Sequence, residues 1–236
     1  RIPDKSVVKA FTPIAAKMDE AWESITGESV TYDAPNGGEA IDRMSIDEWL
    51  TQAGATGWFK KLLDVGYNTE YGLGIGEQSA WNLLMLISTT PDPFAIFGDS
   101  DERFHIRGGN DQVPTLLGKA LGDRVETGTR LDSITQTADG AFKLSVRRDA
   151  TSRDVLADRV VMALPFSKLR ELQVDVDLPA VKKKAIAELG YGTNAKLMVG
   201  FSERTWRTTG KSNGSVLTDL PFQLSWESTR LQPGKA

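Results

Sequence analysis

Apolar residues recur at helical spacing over residues 4–26, where Val7, Val8, Phe11, Ile14, Ala15, Met18 and Trp22 share a face, predicting an amphipathic helix. Pro13 lies inside it and is expected to kink or split it. Residues 31–38 carry turn chemistry. Ser45 followed by Glu48 is a capping-box pattern opening a short helix with Trp49 and Leu50. Residues 56–64 read as a further helix bearing Trp58, Phe59, Leu62 and Leu63. Residues 79–87 are apolar all round, as in a buried helix.

From Phe104 the texture changes. The Gly108–Gly109 turn leads into a helix over 111–121, with Val113, Leu116, Leu117 and Leu121 expected inward. Strand-like runs follow at 125–134, 141–148 and 155–164, the first two joined by a hairpin turn at 138–140. Residues 160–164 are continuously apolar, the pattern of a strand covered on both faces, and Pro165 ends them. A helix is predicted over 179–189, with Val181, Ala185, Ile186 and Leu189 inward. Residues 195–201 alternate like a strand, placing Leu197, Val199 and Phe201 on one face and Lys196, Met198 and Gly200 on the other. A polar loop at 202–214 and strand-like runs at 215–219 and 222–227 complete the chain. The order of elements predicts an α+β protein of two interleaved domains.

The bulk properties narrow the chemistry. The 236 residues suffice for one large or two small domains, and a net charge of -4 disfavours nucleic acid or an anionic membrane as the main partner. There is no cysteine, so disulfides and thiolate chemistry are excluded, and with His105 as the one histidine no metal site is expected. No apolar run approaches the roughly 18 residues of a membrane helix, and no targeting segment is visible, so the expected location is cytoplasmic. The chain starts at Arg1 without an initiator Met, and a piece of a longer protein is expected.

Several motifs resemble chemistry without its context. GLGIG at 72–76 hints at a dinucleotide loop, but the third glycine comes one residue early and no strand precedes it. GKSNG at 210–214 spells a nucleophile elbow inside a polar loop, and it fails as a phosphate loop because Thr205 stands where the first glycine belongs. Asp101 and Glu102 beside Arg103 and His105 read more simply as solvated loop residues than as an acid–base set. Lys196, taken by itself, reads as a solvated lysine on a half-exposed strand.

The motifs in their order carry more than any one alone. DERFHIRGGNDQVP at 101–114, LGDRV at 121–125, ALP at 163–165 and GYGTNAK at 190–196, followed by Phe201 and Trp206, resemble the flavin-containing amine oxidase family. That family includes monoamine, polyamine and L-amino-acid oxidases. MSIDEWL at 44–50 and EQSA at 77–80 fall in the expected order. The resemblance implies that residues 105–166 are an FAD-domain segment, a helix plus β-strands. The flanks, 1–104 and 167–236, would form the substrate domain, a mixed β-sheet flanked by helices. Lys196 matches the family's active-site lysine, which holds a water against the flavin N5. In a dry site such a lysine has its pKa lowered by desolvation.

The resemblance also implies a backbone contact to the adenine end of FAD near Leu131, with Gly108, Gly109 and Pro165 where the chain enters and leaves the FAD domain. Thr69, Glu70, Tyr71 and Glu102 would line the substrate cavity, with Glu70 placed to attract a cationic amine. The family's N-terminal glycine-rich fingerprint and C-terminal flavin segment are not found in this sequence. The isolated chain is therefore expected to bind FAD weakly or not at all and to need those segments of the same protein as partners. A small amine or amino acid is the expected substrate, and a homodimer is compatible with the reading. Two alternatives stand beside it: a cofactor-less binding or scaffold module of the same fold, and a related flavoprotein acting on C–C bonds.

Overall fold

The computed structural model describes residues 2–27, 29–100 and 104–229. The protein is α+β, and the chain divides into two compact units, Arg1–Phe104 with Gly192–Ala236, and His105–Tyr191.

In the first unit, α1 (Asp4–Glu23) runs unbroken through Pro13. The proline tolerates this because it lies on the exposed face, as does Lys9, whose carbonyl loses its helical donor and can turn to water. The opposite face buries Phe11, Ile14, Ala15 and Met18. After the short α2 (Glu39–Asp42), Ser45 and Glu48 form the expected capping box at α3 (Ile46–Gln52). Helix α4 (Gly57–Tyr71) outruns its predicted end at 64, because Val65 and Tyr67 continue the buried stripe through residues that look polar in sequence. Gly72 ends it in the left-handed conformation at φ 78°, which glycine adopts without a Cβ penalty. Helix α5 (Ala80–Leu84) is short and buried.

The core of this unit gathers Phe11, Met18, Ile46, Leu50, Leu63 and Leu83 around Tyr67. The Tyr67 hydroxyl donates to the Ile96 carbonyl at 3.1 Å. Burial, followed by the nearby Tyr71 and Glu70, pushes that hydroxyl well above the ordinary tyrosine range.

In the second unit, α6 (Gln112–Leu121) precedes β1 (Thr129–Gln136), β2 (Phe142–Arg148), β3 (Thr151–Ala157), α7 (Phe166–Leu169), β4 (Gln173–Asp175) and α8 (Ala180–Glu188). The strands form a mixed sheet in the order β3-β2-β1-β4, antiparallel except where β4 lies parallel to β1. The register of β1 against β2 shifts between Leu131 and Ser133, a bulge that sends the Asp132 carboxylate to Arg147 at 2.9 Å.

Several sequence expectations fail here for a shared reason. Among the described residues of this unit only Ile134 and Leu169 are buried hydrophobics. The face of α6 expected inward, Val113, Leu116, Leu117 and Leu121, is exposed. Val181 and Leu189 at α8 are exposed as well. Residues 160–164 are not a strand, and Val161 is 91% exposed. Residues 125–128 are likewise outside β1. An apolar run becomes a strand only when a neighbouring edge and a covering layer receive it, and the described residues supply neither to 160–164.

The chain re-enters the first unit at Gly192. Residues 195–201, expected as a strand, run unpaired and exposed. The short α9 (Thr205–Thr208) and the two-stranded antiparallel β5 (Val216–Leu217) and β6 (Leu224–Ser225) follow.

Candidate functional site

The re-entry point is a close crossing of two backbones. A Cβ on Gly192 would overlap the Tyr71 carbonyl and lie 3.0 Å from the Gly72 Cα, while one on Gly72 would lie 2.8 Å from the Gly192 Cα. Only glycines allow this approach, and the approach creates hydrogen bonds. The Thr193 amide donates to the Gly72 carbonyl at 2.9 Å. The Asn194 side-chain amide donates to the Thr69 carbonyl at 2.6 Å. Residues more than 120 apart in sequence are thereby tied together, and Lys196 follows two positions after the second tie.

The crossing brings the lysine segment to the C-terminal end of α4, which carries Thr69, Glu70 and Tyr71. Glu70 is exposed. The Tyr71 hydroxyl donates to the Asn82 carbonyl at 3.2 Å, and burial, then Glu70, raises its pKa. The acid is thus free to face solvent, whereas the tyrosine is occupied by a structural bond. Glu102 lies outside the described residues.

Lys196 is exposed, so the dry surroundings expected for it are not supplied by the described residues. Its ammonium rests 5.4 Å from the centroid of the Trp226 ring, a cation–π contact. Leu197 and Met198 beside it are 87% and 71% exposed. The segment therefore exposes apolar side chains on either side of one ammonium.

Next to Trp226 lies a group that the sequence reading did not single out. Glu227 is 7% exposed and accepts from Trp206 Nε1 at 2.9 Å, Arg204 Nε at 2.8 Å and Arg207 Nε at 2.6 Å. The Trp206 hydrogen bond, followed by those from Arg207 and Arg204, outweighs desolvation and holds its carboxyl at about 2. Phe201 meets Trp206 edge-on at 5.3 Å between centroids. Between these rings and Trp226 opens a cavity of about 340 Å³. The signal in the sequence was the pair of arginines three apart on either side of Trp206, which the polar loop obscured.

In the second unit, Gly108 and Gly109 turn at φ 91° and 115° before α6. Leu131 lies in β1 opposite Val146, and Pro165 caps the start of α7. These cofactor-site candidates stand on three separate elements. A flavin dinucleotide asks for a flat apolar contact at its ring and N–H donors at its pyrophosphate. The exposed Leu197 and Met198 beside Lys196 are apolar, as the ring asks. The glycine turn does not suit the phosphates, because the Asp111 carboxylate occupies the space beside Gly109, at the N-cap of α6.

The fold is that of solved amine oxidases. A putrescine oxidase double mutant with redesigned cofactor binding superposes with a TM-score of 0.66, at 16% identity over 95% of this chain and 52% of that one. The family model for flavin containing amine oxidoreductases matches residues 33–235, and the chain belongs to that family. An L-amino-acid oxidase of Vipera ammodytes ammodytes is 29% identical over 151 residues, covering 64% of this chain and 31% of that protein. One from Protobothrops flavoviridis is 30% identical over 154 residues, covering 64% and 29%. The chain thus spans about 30% of the length of the curated relatives it matches. Among the described residues no helix is long and apolar enough to cross a membrane.

Proposed function

We propose that this chain is the central portion of an FAD-dependent amine oxidase that converts a primary or secondary amine, or an amino acid, to an imine. The observation that supports this reading is the crossing at Gly72 and Gly192, which ties the segment leading into Lys196 to the helix end bearing Thr69, Glu70 and Tyr71. In this reading residues 105–166 are the FAD-domain segment, and 1–104 and 167–236 form the substrate domain. Gly108, Gly109, Leu131 and Pro165 lie on the cofactor side.

A bound flavin would supply the oxidising power for loss of hydride from the carbon that bears the nitrogen, with oxygen as the two-electron acceptor. The chain's own residues bind and orient. The exposed Glu70 carboxylate draws the substrate ammonium towards the end of α4 by charge attraction. The Lys196 Nζ holds a water by hydrogen bonding, and the Trp226 ring beneath it restricts where that nitrogen can stand. The imine then leaves for hydrolysis to a carbonyl compound and ammonia or an amine.

The phosphate-binding donors belong to segments of the same protein outside this sequence, which is why the isolated chain is read as inactive. The test is the full-length protein with Lys196→Met, assayed for peroxide with monoamines, polyamines and amino acids. Loss of oxidation with flavin still bound supports the assignment. Unchanged turnover refutes it.

A further inference from the structure

The cavity beside Lys196 bears on what the substrate carries besides its nitrogen, an inference that rests on the reading just proposed. Its apolar walls are Val199, Phe201, Trp206, Val216 and Trp226, and its volume is about 340 Å³. A cavity of about 150 Å³ is enough to take up benzene, so this one has room for a phenyl or indole ring. Trp226 forms one wall and also carries the Lys196 ammonium. The cavity and the proposed catalytic nitrogen therefore share a ring.

Its charge points the same way. Glu227 is the acidic side chain in the lining, and both its oxygens already accept from Trp206, Arg204 and Arg207. Two guanidiniums against one carboxylate leave that cluster net positive, with the Lys196 ammonium nearby. The Ser212 and Ser225 hydroxyls in the lining are both engaged with the Gly214 backbone. A second ammonium entering here would meet repulsion and find no free anionic acceptor. An apolar ring would meet edges and faces of three aromatic residues.

We infer that the cavity bounded by Phe201, Trp206 and Trp226 seats the apolar end of the substrate, so that the protein takes amines bearing one bulky ring-sized substituent and rejects diamines. Glu227 is a positioning residue in this account, since it fixes Trp206 and is not itself a ligand.

The experiment needs no flavin. The full 236-residue chain, with its six tryptophans replaced by 5-fluorotryptophan, gives fluorine resonances assigned for Trp206 and Trp226 through W206F and W226F. It is titrated with 2-phenylethylamine and with 1,4-diaminobutane. The expected result is a saturable shift of both resonances with 2-phenylethylamine and none with the diamine at equal concentration. Val199→Phe, at a 58% exposed position away from Glu227, should fill the cavity and weaken the response about tenfold or more. Equal shifts with the diamine, a response unaltered in V199F, or no response from the folded chain would each overturn the inference. Peroxide release from the full-length protein is read separately, so loss of the oxidase reading and loss of the cavity reading remain distinguishable.

Discussion

Replacing Gly192 by alanine tests whether the Lys196 segment is held by a close backbone crossing. The new Cβ would overlap the Tyr71 carbonyl and stand 2.9 Å from its carbon, so the two backbones must part. Both are main chain and cannot rotate away as a side chain would. Parting them breaks the Thr193 amide to Gly72 bond and the Asn194 side-chain bond to Thr69. At about 1 kcal/mol for each hydrogen bond, the loss is about 2 kcal/mol. Alanine restricts the unfolded chain and returns about 0.4–1 kcal/mol, so the net cost is about 1–2 kcal/mol. Gly200 is the control, because a Cβ there meets nothing within 4 Å. Amide hydrogen exchange at Thr193 reads the local opening directly, and protection in G192A should fall about tenfold, since 1.4 kcal/mol is one decade. Protection equal in G192A and G200A would refute the crossing as the device that holds Lys196 in place.

Three further outcomes follow from the same geometry. Glu227 titrates at about 2, below its ordinary 4.5, so its contribution to stability is complete above pH 4.5 and is lost as pH falls through 2. The denaturation midpoint of E227Q should therefore lie below wild type at pH 7, with the gap closing towards pH 2; a gap independent of pH would contradict the ion cluster. Tyr67→Phe leaves the partly buried Ile96 carbonyl without its 3.1 Å donor and should cost about 1–2 kcal/mol in urea unfolding, whereas a neutral result would mean that water or another donor replaces the hydroxyl. Adding FAD to the 236-residue chain should produce no saturable flavin fluorescence quenching, and tight binding would show that the Asp111-bearing turn accommodates phosphate after all.

What was legible in the sequence was whatever depends on neighbours along the chain. The capping box at Ser45 and Glu48, the buried stripe of α1 and the hairpin of β1 and β2 all follow from spacing within one or two elements, and each is present. The failures are contacts decided at long range. Residues 160–164 and 195–201 have strand patterns but no partner strand in the described residues, and pattern alone does not supply one. The α6 stripe has helical spacing and, among the described residues, no layer above it.

The candidate site divides along the same line. Lys196 was visible through the order of family motifs, yet what fixes it was not. The glycines at 72 and 192 looked like loose turns and are a mutual close contact. The two arginines around Trp206 looked like loop charge and converge on Glu227, some 20 residues further on. A buried carboxylate at the end of a strand-like run leaves no periodic trace, because its partners are chosen by the fold and not by spacing. For this family member the candidate residue, Lys196, was thus reached by resemblance. The features that aim it, a glycine crossing on one side and an aromatic cavity hung from Glu227 on the other, needed coordinates.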